Sequence, residues 1–166
     1  EVSSFQCESL LDPQSPLLQA SSNGKLSWKG FKPLVASLLN ISQNHLDRHK
    51  DMDAYFQAKA KLFINQTQDD FAIINEDCQE LIGFSLDVQS QKVLFPGRDS
   101  DRFDLNQCAV LEVAKILNID PQVPLEIFKQ FAGVEHRLEF VRTYEGIDFV
   151  NDAKSTTTEA SRWALN

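Results

Sequence analysis

Cysteine is scarce and follows no ligand spacing. The 166 residues hold three, Cys7, Cys78 and Cys108, and no Cys-x-x-Cys occurs. That argues against a thiolate zinc site and a disulfide framework, and fits a reducing cytoplasm. No apolar run approaches the roughly 18 to 20 residues of a membrane-spanning helix, and no signal-peptide pattern opens the sequence. Positive charge is also short: 16 Lys and Arg against 24 Asp and Glu leave a net charge of −8. That balance argues against a broad surface gripping nucleic-acid phosphates, but not against one phosphorylated small molecule held at a local site. A glycine-rich phosphate loop is missing too, because nothing glycine-rich precedes Gly24-Lys25. Neither an internal repeat nor a low-complexity segment is visible.

Apolar material is ample. Hydrophobic residues make up 42% of the chain and include twelve Phe, enough for one ordinary domain or for one domain and the start of another. The first residue is Glu1, not Met, and residues 159–166 read as a helix cut short. An excised fragment of a longer protein is therefore expected.

Residues 40–63 hold the densest chemistry. A strand-like run at 34–39 leads into Asn40-Ile-Ser-Gln-Asn-His-Leu-Asp-Arg-His49, so polar and basic groups follow a strand end, where open α/β sheets bind ligands. Residues 52–63 read as a helix with Met52, Tyr55, Lys59, Leu62 and Phe63 on one face. Lys59 thus falls within the apolar stripe, and Lys61 lies on the opposite side. A lysine there is costly as a cation unless something requires it.

Along the rest of the chain, residues 1–6 read as a strand tail entering a loop, and residues 8–30 as a polar surface insertion with a short strand at 25–30. Further strands are expected at 71–75, 81–86 and 92–95, and a charged loop at 98–102. A helix follows from Leu105 with Asp104 as its N-cap, then one at 125–132 stopped by Gly133. Residues 138–142 and 147–150 alternate around Tyr144-Glu-Gly146, which predicts an antiparallel hairpin. The fold class is α/β, a mostly parallel sheet with flanking helices. A domain boundary is placed near Gly133, giving units 1–133 and 134–166.

Five motifs in this order resemble the Mur ligase family: Glu1-Val-Ser-Ser-Phe-Gln6, the 40–49 segment, Tyr55-Phe-Gln-Ala-Lys59, Gly133-Val-Glu-His-Arg-Leu-Glu-Phe-Val141 and Asn151-Asp-Ala-Lys-Ser-Thr-Thr157. The last is similar to the motif of the D-glutamate-adding members. Only residues 8–30 fall outside the likeness, being longer and more polar than is usual. The resemblance implies the central ATPase domain followed by the start of a Rossmann-like C-terminal domain. It implies an ATP-dependent amide ligase of peptidoglycan synthesis, which phosphorylates the carboxylate of UDP-N-acetylmuramoyl-L-alanine and lets the amine of D-glutamate displace phosphate. ATP and Mg2+ are implied as cofactors, and the complete protein as a monomer.

By the same resemblance, Glu1, His45 and a carbamylated Lys59 hold magnesium, and His45 and Lys59 serve catalysis. Ser3 and Gln6 contact the sugar nucleotide; Asn106, Arg137 and Asp152 contact ATP; Lys154 and Thr156 receive D-glutamate. Three departures stand out. Asn44 replaces a family aspartate, Arg102-Phe103 replaces the His-Asn of the nucleotide motif, and the phosphate loop, upstream of Glu1 in the family, is absent. The fragment by itself is expected to be inactive. A folate-polyglutamylating ligase and a non-catalytic relative remain alternatives.

Overall fold

The computed structural model describes residues 2–9, 18–20, 26–28, 31–43, 47–83, 88–96 and 103–165. Glu1, Asn44, His45, Arg102 and the 98–102 loop lie outside the described residues, as does most of the 8–30 segment. The chain divides into two compact units, Glu1–Pro124 and Leu125–Asn166.

The first unit is built on a parallel sheet of three strands, β3 (Val35–Leu38), β4 (Phe71–Asn75) and β5 (Gln91–Phe95), in the order β3-β4-β5. Before it come helix α1 (Ser4–Ser9) and a small antiparallel pair, β1 (Leu18–Ala20) with β2 (Leu26–Trp28). Helix α2 (Met52–Ala60) continues into a single 3-10 turn, Lys61–Phe63. Helices α3 (Gln79–Gly83) and α4 (Leu105–Ile116) complete the layers. Successive strand residues face opposite ways. Ala36, Leu38, Ala72 and Ile74 pack on one side with Tyr55, Phe56 and Phe63 of α2 and its 3-10 turn. Ile73 and Phe95 pack on the other side with Cys108 and Ala109 of α4. Burial on both faces explains why β4 reads as an unbroken apolar run.

The starts of the strands are cross-linked by side chains. Gln66 is buried, donates from Nε2 to the carbonyls of Pro33 (3.0 Å) and Phe71 (2.9 Å), and accepts from Ser90 Oγ (2.8 Å). One amide thus ties the entries of all three strands. Asp70 lies beside it, accepting from the Thr67 N–H (2.6 Å) and hydroxyl (2.9 Å) with Lys32 Nζ at 2.9 Å. Burial would raise this carboxyl, but Thr67 and Lys32 outweigh it and hold it below its ordinary value.

Two expectations are corrected. Residues 4–9 are helical rather than a strand tail, because Ser3-x-x-Gln6 forms a reciprocal capping box. The Ser3 N–H donates to Gln6 Oε1 (2.8 Å) and the Gln6 N–H to Ser3 Oγ (3.2 Å). The strand expected at 81–86 begins instead as α3: the N–H groups of Leu81 and Ile82 both reach the Cys78 carbonyl, 3.0 and 3.1 Å away. Leu81 buries itself against the α2 side of the core. Short apolar runs do not distinguish helix from strand by periodicity. Residues 84–87 lie outside the described residues.

Asp104 caps α4 in a second full box with Gln107. Helix α5 (Gln122–Gln130) starts ahead of its expected position, with Pro124 in its first turn, where a missing N–H costs nothing. In the second unit, β6 (Glu139–Tyr144) and β7 (Ile147–Asn151) form the expected hairpin, with Tyr144 opposite Ile147. Its two turn residues, Glu145 (φ 50°) and Gly146 (φ 78°), both take left-handed backbone, as a tight primed turn requires. Helix α6 (Thr158–Ala164) closes the unit. No helix among the described residues is long and apolar enough to cross a membrane.

Candidate functional site

Of the expected site residues of the first unit, Ser3 and Gln6 lie at the start of α1 and Lys59 on α2, which packs against it. Ser3 and Gln6 are exposed at the start of α1, their side chains engaged in the capping box. Ser4, next to them, is buried, and its Oγ shares a 3.1 Å hydrogen bond with Nε2 of buried His49. The His49 ring stacks on Phe5 (centroids 6.0 Å apart, 11° between planes) and meets Tyr55 of α2 at 5.1 Å. Tyr55 in turn carries Lys59, whose Nζ lies 5.3 Å from the ring centre. Arg48 sits over the outer face of this cluster, 5.8 Å from the Phe5 ring.

Lys59 and Lys61 are both half-buried, so exposure does not separate them as the simple helix phase predicts. The reason is local: the helix tightens to a 3-10 turn at Lys61, which shifts the phase. What separates them is the Tyr55 ring under Lys59. Burial pushes the Cys7 thiol up, while Lys59, Lys61 and its own N–H pull the other way. Glu1 and His45, expected beside Lys59 as metal ligands, lie outside the described residues. Among the described residues, no group of three His, Cys, Asp or Glu is placed to hold a metal. An ammonium is no ligand, whereas a carbamate on Lys59 would supply oxygens of the hard type that magnesium takes.

Asn106 is exposed in the first turn of α4. Phe103, one of the departures from the nucleotide motif, packs against the Ile73–Phe95 side of the core.

In the second unit the expected residues converge on one knot. Asp152 accepts from the Leu138 N–H (3.1 Å) with Oδ1 and from the Ser155 hydroxyl with Oδ2. Glu139 Oε2 accepts from the His136 N–H (2.9 Å), and Asn151 Nδ2 lies 2.8 Å from His136 Nδ1. The Lys154 N–H reaches the His136 carbonyl at 3.1 Å. Together these hold His136 (φ 64°) and Leu138 (φ 48°) in left-handed backbone, with exposed Arg137 between them. Lys154 and Thr156 are exposed on the loop that Asp152 pins. Thr156 lines an open groove of about 510 Å³ with residues 155, 157 and 158, Ser161, Arg162 and Leu165. Hydroxyls and a guanidinium are the donors a carboxylate takes.

The profile of the Mur ligase middle domain matches residues 18–129. The chain belongs to the Mur ligase family. As a Mur ligase chain it is similar to the UDP-N-acetylmuramoylalanine–D-glutamate ligase of Natranaerobius thermophilus, with 32% identity over 99% of this chain and 43% of the relative. The enzymes of that name from Clostridioides difficile (99% of this chain, 40% of the relative) and Caldicellulosiruptor saccharolyticus (100% and 40%) are each 30% identical. The chain thus spans about two fifths of the length of these curated relatives. The family match takes in the β1–β2 pair of the 8–30 segment.

Sequence reasoning placed His49 of this Mur ligase in the candidate ligand-binding stretch without a role of its own and passed over Ser4, although the Ser3-x-x-Gln6 box was a readable sign that residue 4 sits inside a helix. It also missed Glu139, because a glutamate opening a strand looks solvated until the backbone it holds is known.

Proposed function

We propose that this chain is part of an ATP-dependent amide ligase that adds D-glutamate to UDP-N-acetylmuramoyl-L-alanine in peptidoglycan synthesis. The substrate carboxylate takes the γ-phosphoryl group of ATP, and the amine of D-glutamate then displaces phosphate from the acyl phosphate. The observation that carries this reading is the pinned loop of residues 151–157. Each Asp152 oxygen accepts a hydrogen bond from the chain itself, Lys154 and Thr156 are exposed, and Thr156 lines the groove. An ammonium and a hydroxyl on one short loop suit the carboxylates of an incoming amino acid. The names of the relatives support the same substrate.

Ser3 and Gln6 are proposed to contact the sugar nucleotide, and Asn106, Arg137 and Asp152 to contact ATP. Glu1, His45 and carbamylated Lys59 would hold magnesium, which neutralises polyphosphate charge when bound. Carbamylation needs the neutral amine of Lys59, which adds carbon dioxide and releases one proton. The complete ligase is proposed to work as a monomer in the cytoplasm.

The test is phosphate release by the complete ligase with UDP-N-acetylmuramoyl-L-alanine, ATP and either D-glutamate, L-glutamate or a folate acceptor. Activity confined to D-glutamate is expected. Lys154→Ala should raise the KM for D-glutamate about ten- to a hundredfold, the effect of losing a charge-assisted contact, with little change for ATP. Equal effects on both, or turnover with the folate acceptor, would refute the assignment.

A further inference from the structure

We infer that His49 is a positioning residue that locks α1 to α2. It sets the sugar-nucleotide groups of residues 3–6 and the lysine at position 59 in one rigid frame. The inference deepens the functional reading above and rests on it.

The imidazole is 2% exposed and Ser4 3%, so their 3.1 Å hydrogen bond is dry. A polar pair in that setting is costly to break, because either partner left alone has no water to replace the other. The ring also contacts both elements through its faces. Phe5 of α1 stacks on it, and Tyr55 of α2 meets it at 5.1 Å while supporting Lys59.

Apolar packing by itself would let a helix of six residues slide or rotate against its neighbour. Each residue of slip turns the helix by about 100° and would swing Ser3 and Gln6 away from a ligand. The capping box fixes the first turn internally but says nothing about its orientation to α2. The Ser4–His49 bond supplies that reference. Cys7, one turn along α1, is buried, and α1 packs against both α2 and the 3-10 turn that follows it. Enclosed by Ser4, Phe5 and Tyr55, the ring is placed to orient the two helices.

The experiment uses the complete ligase with His49→Phe, His49→Gln, Ser4→Ala and the double variant S4A/H49F. Phenylalanine keeps the stacking and loses the hydrogen bond, whereas the glutamine amide reaches to about the depth of Nε2 and keeps it. His49→Phe and Ser4→Ala should each raise the KM for UDP-N-acetylmuramoyl-L-alanine about three- to tenfold, the effect of one lost hydrogen bond. The KM for D-glutamate should stay within about twofold. The double variant should be no worse than either single one, as coupled partners are, and His49→Gln should recover most of the loss.

Hydrogen exchange gives a readout that needs no activity: the amides of α1 should exchange faster in His49→Phe while those of β4 do not. With the wild-type enzyme active, the inference is overturned if the variants show equal KM changes for every substrate, if the single variants are additive, or if α1 exchange is unchanged. A wild-type enzyme with no ligation overturns the functional reading and this inference with it.

Discussion

Replacing Gln66 by leucine should cost more stability than any other single polar-to-apolar change in the first unit. The side chain makes three hydrogen bonds, to Pro33, Phe71 and Ser90, and is 2% exposed. Leucine matches its volume closely enough that no cavity contribution arises. The loss is then three buried bonds at roughly 1 kcal/mol each, or about 2–4 kcal/mol in all. For a unit of this size that is a Tm fall of about 8–15 °C. Urea titration of the chain, followed by circular dichroism, should show a lower midpoint with an unchanged slope. Ser90→Ala removes one of the three bonds and should cost about 1 kcal/mol. A Gln66→Leu loss below about 0.5 kcal/mol would show that the three strand entries are held by backbone pairing alone.

In the complete ligase, Lys59→Ala should fall below about 1% of wild-type activity, with partial rescue by acetate or formate, while Lys61→Ala stays within about twofold; the reverse pattern would remove the carbamylation assignment. Asp70→Asn should lower Tm near neutral pH. Because the folded carboxyl lies below its ordinary value, its contribution is present above the unfolded value and is lost as pH falls through the folded one. Melting curves of wild type and variant should therefore converge below about pH 4. Ser37 Oγ is buried in β3 with no hydrogen-bond partner among the described residues, so Ser37→Ala should leave stability unchanged or raise it by up to about 1 kcal/mol. Clear destabilisation would mean that the hydroxyl is satisfied after all.

Elements whose boundaries are written in local chemistry were legible from sequence. Asp104 announces α4, the run 71–75 announces β4, and Glu145-Gly146 between alternating segments announces the hairpin. Where two structures share one local pattern, the reading failed: residues 81–83 are apolar enough for a strand, and only the Cys78 carbonyl decides for a helix. The site was legible as a set of residue types but not as an arrangement. Lys59 stood out from the stripe of α2, yet the Tyr55–His49–Ser4 chain that supports it depends on α1 folding back across the sequence. Gln66 carried no sign at all, since glutamine is ordinarily a surface residue and its three partners lie on separate strand entries.

The left-handed backbone at His136 and Leu138 bears on the order of assembly. Each such residue costs about 1–2 kcal/mol when unsupported. The groups that compensate, Glu139, Asn151 and Asp152, stand at the open end of the β6–β7 hairpin, where the pairing of Glu139 with Asn151 brings them together. The turn therefore cannot form ahead of the hairpin. It closes late and opens early, without requiring the strands to part. Substitutions at Asp152 or Glu139 should consequently quicken opening while leaving the rate of hairpin formation nearly untouched. The segment that displays Arg137 would then be the first part of this unit to lose its shape under load.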